Sequence, residues 1–321
     1  MTISRPTTSA LVEGIGCDVP ADVVARLRTV RALAQGPLRV GELSGGLTNL
    51  NYKVTTADGR SYVARLSSPD GELLAIDRAA EHLSSVAAAS TGIAPGVIGF
   101  APRAQLLVIA WVDGRTLTAA DLQEEEMLRR VAGSVLRLHS GPAFPRPFDM
   151  FDIQQRYLAV VRERGFRLPP RYLEFADDVG RIQAAVAVKA GPTVPCNNDL
   201  LAANLIDDGD QIWLIDYEYA GNNDPCFELG NIWSEAGLEP ELLDVLVDAY
   251  FGTHLRHQVA RARLLGLMAK YGWMLWASIQ HGVSRLDFDF WTWGMAKYER
   301  AVAEFDGPRF EKLLAEAVRD D

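Results

Sequence analysis

A chain of 321 residues, 48% hydrophobic and 23% charged, is long enough for two lobes around a shared cleft, and its composition excludes a disordered or fibrous protein. A net charge of −10 argues against a nucleic-acid partner and favours a cationic one. Cys17, Cys196 and Cys226 lack C-x-x-C spacing, so neither a disulfide framework nor a zinc site is expected, and a reducing cytoplasm is the expected compartment.

Residues 1–20 read as a loose tail, since Met1-Thr2-Ile3-Ser4-Arg5-Pro6 has no apolar core for a signal peptide. Residues 21–112 then read as a small β-rich lobe. A helix over 21–34 carries Val23, Val24, Leu27, Val30 and Leu33 at helical intervals and stops at Gly36-Pro37. Leu43-Ser44-Gly45-Gly46-Leu47-Thr48-Asn49 follows, small enough for backbone N–H groups to approach phosphate oxygens and equally readable as a plain turn. Strands over 51–54 and 61–66 alternate around Ala57-Asp58-Gly59, a hairpin signal. A helix over 76–88 comes next, and strands over 96–100 and 105–112 complete the lobe.

Residues 113–321 read as a larger, mainly helical lobe. A Thr118-to-Asp121 cap opens a helix that runs through His139, a histidine read as structural. Further helices are expected over 154–164, 176–189, 241–250, 260–280 and 291–305. The most apolar window, 264–279, contains Lys270 and Gly272 and falls short of the roughly 20 residues of a membrane span, so it reads as a buried helix and no membrane insertion is expected.

Between these helices lies CNNDLLAANLIDDGDQIWLIDYEY, from Cys196 to Tyr219. Asn204 stands five positions after Asp199, and Asn204-Leu205-Ile206 with Ile212-Trp213-Leu214-Ile215 flank the turn Asp207-Asp208-Gly209-Asp210, which returns Asp216 to the end of the hairpin where Asn204 starts. That layout suits metal-assisted phosphoryl transfer: Asp199 takes a hydroxyl proton, and the oxygens of Asn204 and Asp216 hold Mg²⁺. The spacing is that of the protein-kinase loop H-R-D-x-x-x-x-N; taken alone, D-x-x-x-x-N is also the content of any acidic surface hairpin. In Val63-Ala64-Arg65-Leu66, Arg65 stands where the kinase pattern V-A-I-K has Lys, and Glu81 on the following helix can pair with it.

With Gly45-Gly46-Leu47-Thr48-Asn49-Leu50-Asn51-Tyr52, Arg65, Ile76-Asp77-Arg78 with Glu81, Asn198-Asp199-Leu200-Leu201 with Asn204, and Ile215-Asp216-Tyr217-Glu218-Tyr219 in order, the chain resembles the choline/ethanolamine kinase family. That family belongs to the aminoglycoside-phosphotransferase-like enzymes of protein-kinase-like fold, and the resemblance runs from about residue 41 to 300. It implies an α+β, two-lobed architecture, ATP as co-substrate with Mg²⁺, Asp199 as catalytic base and Asn204 and Asp216 as metal ligands. It further implies Arg65 with Glu81 as the phosphate clamp under a Gly45, Gly46, Thr48, Asn49 loop, and Ala110-Trp111-Val112 as the segment beneath adenine. Two positions depart from the family pattern: Asn197 stands where His is usual, and Glu228 where Asp is usual.

The helical part is rich in aromatic residues. A quaternary ammonium donates no N–H, so it is held against aromatic faces beside a carboxylate, and Tyr219, Trp273, Trp276 and Phe290 are the expected cage. Trp273 and Trp276, three apart on an apolar helix, also fit an ordinary core stripe. Trp291 and Trp293 are left unassigned, and Asp287 and Asp289 either attract the cation or face solvent. The expected activity is phosphoryl transfer from ATP to the hydroxyl of choline or ethanolamine. The alternatives are an aminoglycoside or other small-molecule kinase of the same fold, and a non-catalytic ATP-binding pseudokinase motivated by Asn197.

Overall fold

The computed structural model describes residues 19–43 and 46–320, so Cys17, Ser44 and the expected phosphate-loop residue Gly45 lie outside the described residues. A five-stranded antiparallel sheet, β1 (Leu38–Leu43), β2 (Asn49–Thr56), β3 (Ser61–Ser67), β4 (Val97–Ala101) and β5 (Leu106–Ala110), has the order β1-β2-β3-β5-β4. Alternation along β2 and β3 sends Tyr52, Val54, Tyr62, Ala64 and Leu66 to one face. There they pack with Leu27, Val30 and Leu33 from the segment that opens with α1 (Ala21–Leu27). Arg65 takes the opposite face, under α2 (Arg78–Ser90), whose N-cap Asp77 accepts from the Ala79 and Ala80 amides.

The helix expected over 21–34 ends early. The chain turns extended at Val30, and Arg28 binds the carbonyls of Leu33 and Gly36 at 2.7 and 2.8 Å, so a short 3₁₀ turn over Arg31–Leu33 completes the same apolar face. The β-branched pair Thr29-Val30 favours that break. The Thr118 cap also differs: the Asp121 carboxylate accepts from the Thr118 amide and hydroxyl, and closes a 3₁₀ turn ahead of α3 (Glu125–His139).

The strands β6 (Arg115–Thr116) and β7 (Val194–Cys196), which belong to different sheets, bracket α3, α4 (Met150–Arg164) and α5 (Ala176–Val188) in the chain. After β7 come β8 (Leu205–Asp207), β9 (Ile212–Leu214) and β10 (Gly221–Asn223), with β6-β8-β9 forming one small sheet and β10-β7 another. Asn204, expected to begin a strand, sits instead in a 3₁₀ turn over Ala202–Asn204. Helices α6 (Pro225–Ala236), α7 (Pro240–Phe251), α8 (Arg256–Val283), α9 (Phe290–Phe305) and α10 (Phe310–Ala317) complete the body.

Helix α8 is its axis. From Leu264 to Gln280 every residue is buried, as expected of a helix covered on all sides. Lys270 at its centre pairs with Glu304 of α9 and lies 4.4 Å from the Trp233 ring, so the one cation in the run is compensated. No helix among the described residues is long and apolar enough to cross a membrane. Against α8 packs α6, at a crossing so tight that a Cβ on Gly230 would stand 2.0 Å from the Ala262 carbonyl oxygen.

Candidate active site

The loop between β7 and β8 carries Asp199, and its shape is set by amide side chains and one carboxylate. The backbone N–H groups of Asn197 and Asn198 donate to Glu228 of α6 at 2.9 and 2.6 Å. Asn198, in the left-handed region at φ 69°, donates through Nδ2 to the Tyr219 carbonyl at 3.0 Å. Asn197 donates through Nδ2 to the Asp216 carbonyl at 2.8 Å, while its Oδ1 accepts the Asp199 amide at 3.1 Å. The residue that departs from the family's His therefore ties the Asp199 loop to the Asp216 loop directly. The longer arm of Glu228 reaches both loop amides.

Asn204 donates through Nδ2 to the Asp199 carbonyl at 2.8 Å, and its own carbonyl accepts the Ile215 amide at 3.0 Å, so the mouth of the hairpin is knitted to the loop. Asp216 is held in the left-handed region at φ 65°. Its Oδ1 accepts from Arg65 Nη1 at 2.6 Å, and the same Nη1 donates to Glu81 at 2.8 Å. Arg78 extends the network: it donates to Glu81 at 2.8 Å, to Glu218 at 3.0 Å and to Asn49 Oδ1 at 2.8 Å, while Asn49 Nδ2 donates to Glu218 at 2.8 Å. The start of β2, helix α2 and the 216–218 segment thus share one hydrogen-bonded cluster.

A single cavity of about 110 Å³ gathers most of the expected site residues. Gly46, Thr48 and Asn49 form one side; Asp199, Asn204 and Asp216 form the second. Tyr219, Trp273, Trp276 and Trp293, with the carboxylate of Glu235, form the third. Trp276 Nε1 donates to the Tyr219 hydroxyl at 2.7 Å, Trp273 packs edge-on to Tyr219 at 5.0 Å, and Trp293 meets Trp276 at 5.6 Å. Gln280, one turn beyond Trp276, donates to the Leu47 carbonyl at 3.0 Å and fastens the loop before β2 to α8.

One expectation changes. Phe290 is not on the cavity wall: at 2% exposure it stands behind Trp276, 5.8 Å ring to ring, and Trp293 takes the place assigned to it. Ala110 and Val112, expected beneath adenine, lie at and just past the end of β5, outside this cavity, and the Ala110 amide is bonded to the Gly96 carbonyl at 2.8 Å. Asp289 caps α9 through the Thr292 amide and, like Asp287, is exposed. Glu235 was missed. The signal for it was the spacing Glu228, Asn231, Glu235, which puts three polar groups on one face of a helix. Glu228 holds the Asp199 loop, Asn231 accepts from Trp273 Nε1 at 3.3 Å, and Glu235 reaches the cavity.

Four carboxylates around one small cavity repel one another. Burial first, then Asp216, Glu235 and Glu218, hold Asp199 well above the usual carboxylate range, against a smaller opposing pull from Lys297. Glu218 is pushed up to about 7 by burial and by Asp216, with Arg65 and Arg78 pulling it back. Such a field calls for cations. The donor set fits Mg²⁺: Asn204 has its Nδ2 engaged and its Oδ1 left, and Asp216 has one carboxylate oxygen beyond the one on Arg65, which gives hard oxygen ligands with no nitrogen or sulfur.

Residues 39–264 match the model of the phosphotransferase enzyme family. The chain is 25% identical to Protein LicA of Haemophilus influenzae over 264 residues, covering 76% of this chain and 75% of that protein. It is 25% identical to ethanolamine kinase 2 of Mus musculus over 222 residues, covering 60% of this chain and 57% of that one. Its structure superposes on a crystal structure of a choline/ethanolamine kinase family protein from Mesorhizobium loti with a TM-score of 0.79 at 27% identity, over 92% of this chain and 98% of the other. A family match that spans most of the chain, with relatives and a structural neighbour that are kinases, places the chain in the phosphotransferase enzyme family, as an ATP-dependent phosphotransferase acting on a small molecule.

Proposed function

We propose that the chain transfers the γ-phosphoryl group of ATP to the hydroxyl of a small amino alcohol, choline or ethanolamine. The observation that carries this reading is that Asp199 shares one cavity with an aromatic wall of Tyr219, Trp273, Trp276 and Trp293 and with the carboxylate of Glu235. At about 110 Å³ the cavity is well below the ~300–1,000 Å³ of pockets for drug-sized ligands, which favours a small alcohol over an aminoglycoside.

In this reading the ammonium group rests against the aromatic wall and the hydroxyl points to Asp199, which orients it and accepts its proton. Mg²⁺ held by Asn204 and Asp216 supplies charge neutralisation at the phosphates. Arg65, oriented by Glu81, faces the phosphates with a charge that does not titrate, and Gly46, Thr48 and Asn49 cradle them. The 110–112 segment is assigned to adenine; with the Ala110 amide engaged, Val112 is the residue left to offer its backbone. Catalysis rests on positioning and electrostatics.

The test is ADP release with Mg-ATP against choline, ethanolamine, its mono- and dimethylated forms, and a panel of aminoglycosides. Turnover with the amino alcohols and none with the aminoglycosides is expected. The reverse pattern overturns the substrate, and nucleotide binding without turnover on any alcohol makes the protein a pseudokinase.

A further inference from the structure

The carboxylate that faces the cavity from α6 is already paired. Glu235 binds Lys297 of α9, and the two side chains are 4% and 5% exposed. The Lys297 ammonium also lies 4.1 Å from the centroid of the Trp293 ring, one turn earlier on α9. Glu235 and Trp293 both line the cavity, whereas Lys297 stands behind them. One resident ammonium therefore engages, from the protein side, the same carboxylate and the same indole that an ammonium ligand meets from the cavity side.

This arrangement has a consequence for selectivity. A primary ammonium gains most from an unshared carboxylate, because it donates charge-assisted hydrogen bonds. A quaternary ammonium donates none, and gains from aromatic faces and from the field alone. A carboxylate neutralised by a buried lysine offers the primary ammonium less, while the faces of Trp273, Trp276 and Tyr219 remain for both.

Resting on the amino-alcohol reading above and deepening it, we propose that Lys297 is a positioning residue that sets substrate specificity: by neutralising and orienting Glu235 it biases the cavity toward N-methylated ammonium groups over primary amines. Its effect passes through Glu235, so removing both partners together restores what removing Lys297 alone disturbs.

The experiment reads binding without phosphoryl transfer. Tryptophan fluorescence is titrated with tetramethylammonium chloride and with methylammonium chloride, and the ratio of the two dissociation constants is compared among the wild type, Lys297→Met, Lys297→Arg and the double variant Glu235→Gln/Lys297→Met. The wild type favours tetramethylammonium. In Lys297→Met the ratio shifts toward methylammonium by about tenfold, the low end of what one hydrogen bond to a charged group is worth. Lys297→Arg and the double variant keep the wild-type ratio. A ratio unchanged in folded Lys297→Met, or both affinities falling in parallel, overturns the proposal. Should Lys297→Met not fold, the double variant decides alone: a wild-type ratio supports the proposal, and a tenfold loss of tetramethylammonium affinity overturns it. Because no alcohol or ATP enters these titrations, a shifted ratio with no amino-alcohol turnover rejects only the substrate reading, and amino-alcohol turnover with an unshifted ratio rejects only the role of Lys297.

Discussion

Asp199 concentrates the chemistry of the site in one side chain, and its surroundings make two demands on it. In its proposed role as base it must be ionised, yet burial and three neighbouring carboxylates hold its proton on. A folded-state pKa above the unfolded value means that the folded protein binds this proton more tightly, so its stability falls as pH rises above the unfolded carboxylate value, and the cost is complete once the folded value is passed. Asp199→Asn removes both the base and the cost. It is expected to lower kcat by about 10²–10⁴-fold, the usual worth of general acid–base catalysis, while melting at or above the wild-type temperature. Scanning calorimetry at pH 5 and pH 8 checks the sign: the advantage of the variant grows with pH. Near-normal turnover removes Asp199 from the role of base. Asn197 shows what one position can and cannot disclose. In sequence it is a missing imidazole; in the fold its amide makes the bonds that join the Asp199 and Asp216 loops, because an amide offers a donor and an acceptor at once.

At the scale of elements, helix α6 does more than its sequence announces. Asp224 caps it through the Cys226 amide, Pro225 occupies its first turn, and Gly237 ends it at φ 62°, all ordinary boundary signals. Its interior gives no amphipathic pattern because nearly every side of it is covered, and a helix without an exposed face has no period to detect. The crossing of α6 on α8 brings Glu235 to the cavity together with Trp273 and Trp276, while Glu228 holds the Asp199 loop. Gly230 and Gly266 allow the backbones to meet, since a Cβ on Gly266 would stand 2.6 Å from the Gly230 carbonyl oxygen. Gly230→Ala is therefore expected to destabilise the protein by about 1–3 kcal/mol or more through overpacking. Urea denaturation measures it; a loss under 0.5 kcal/mol would show that the helices separate at little cost.

At the scale of the molecule, the two hydrophobic cores among the described residues, one under the five-stranded sheet and one around α8, are joined by polar contacts across the cleft. Arg65 to Asp216, Asn49 to Glu218 and Gln280 to Leu47 all link the sheet side to the helical body. The last of these fastens the loop beside the cavity to the helix that carries the aromatic wall, and in the proposed function it would link the phosphate loop to the alcohol pocket. Gln280→Ala is expected to raise the KM for ATP by about two- to tenfold, the worth of one neutral hydrogen bond, with a smaller change in kcat. Steady-state kinetics at saturating alcohol reads it, and an unchanged KM would show that the loop is held by its other contacts.

Spacing alone was enough to bring Asp199, Asn204 and Asp216 to one place, because a short loop and a tight hairpin are local geometry and leave the chain few alternatives. Alternation was enough to turn Arg65 away from Ala64 and Leu66 and toward the helix bearing Glu81. The segments that sequence placed least well are those whose environment is set from afar: α6, covered on all sides; Phe290, displaced from the cavity by one turn of α9; and Glu235, whose use depends on a helix crossing and on a lysine 62 residues away. Which of several aromatic residues face a cavity, and whether a carboxylate beside them is free or paired, follows from how three helices pack, and only the tertiary structure fixes that.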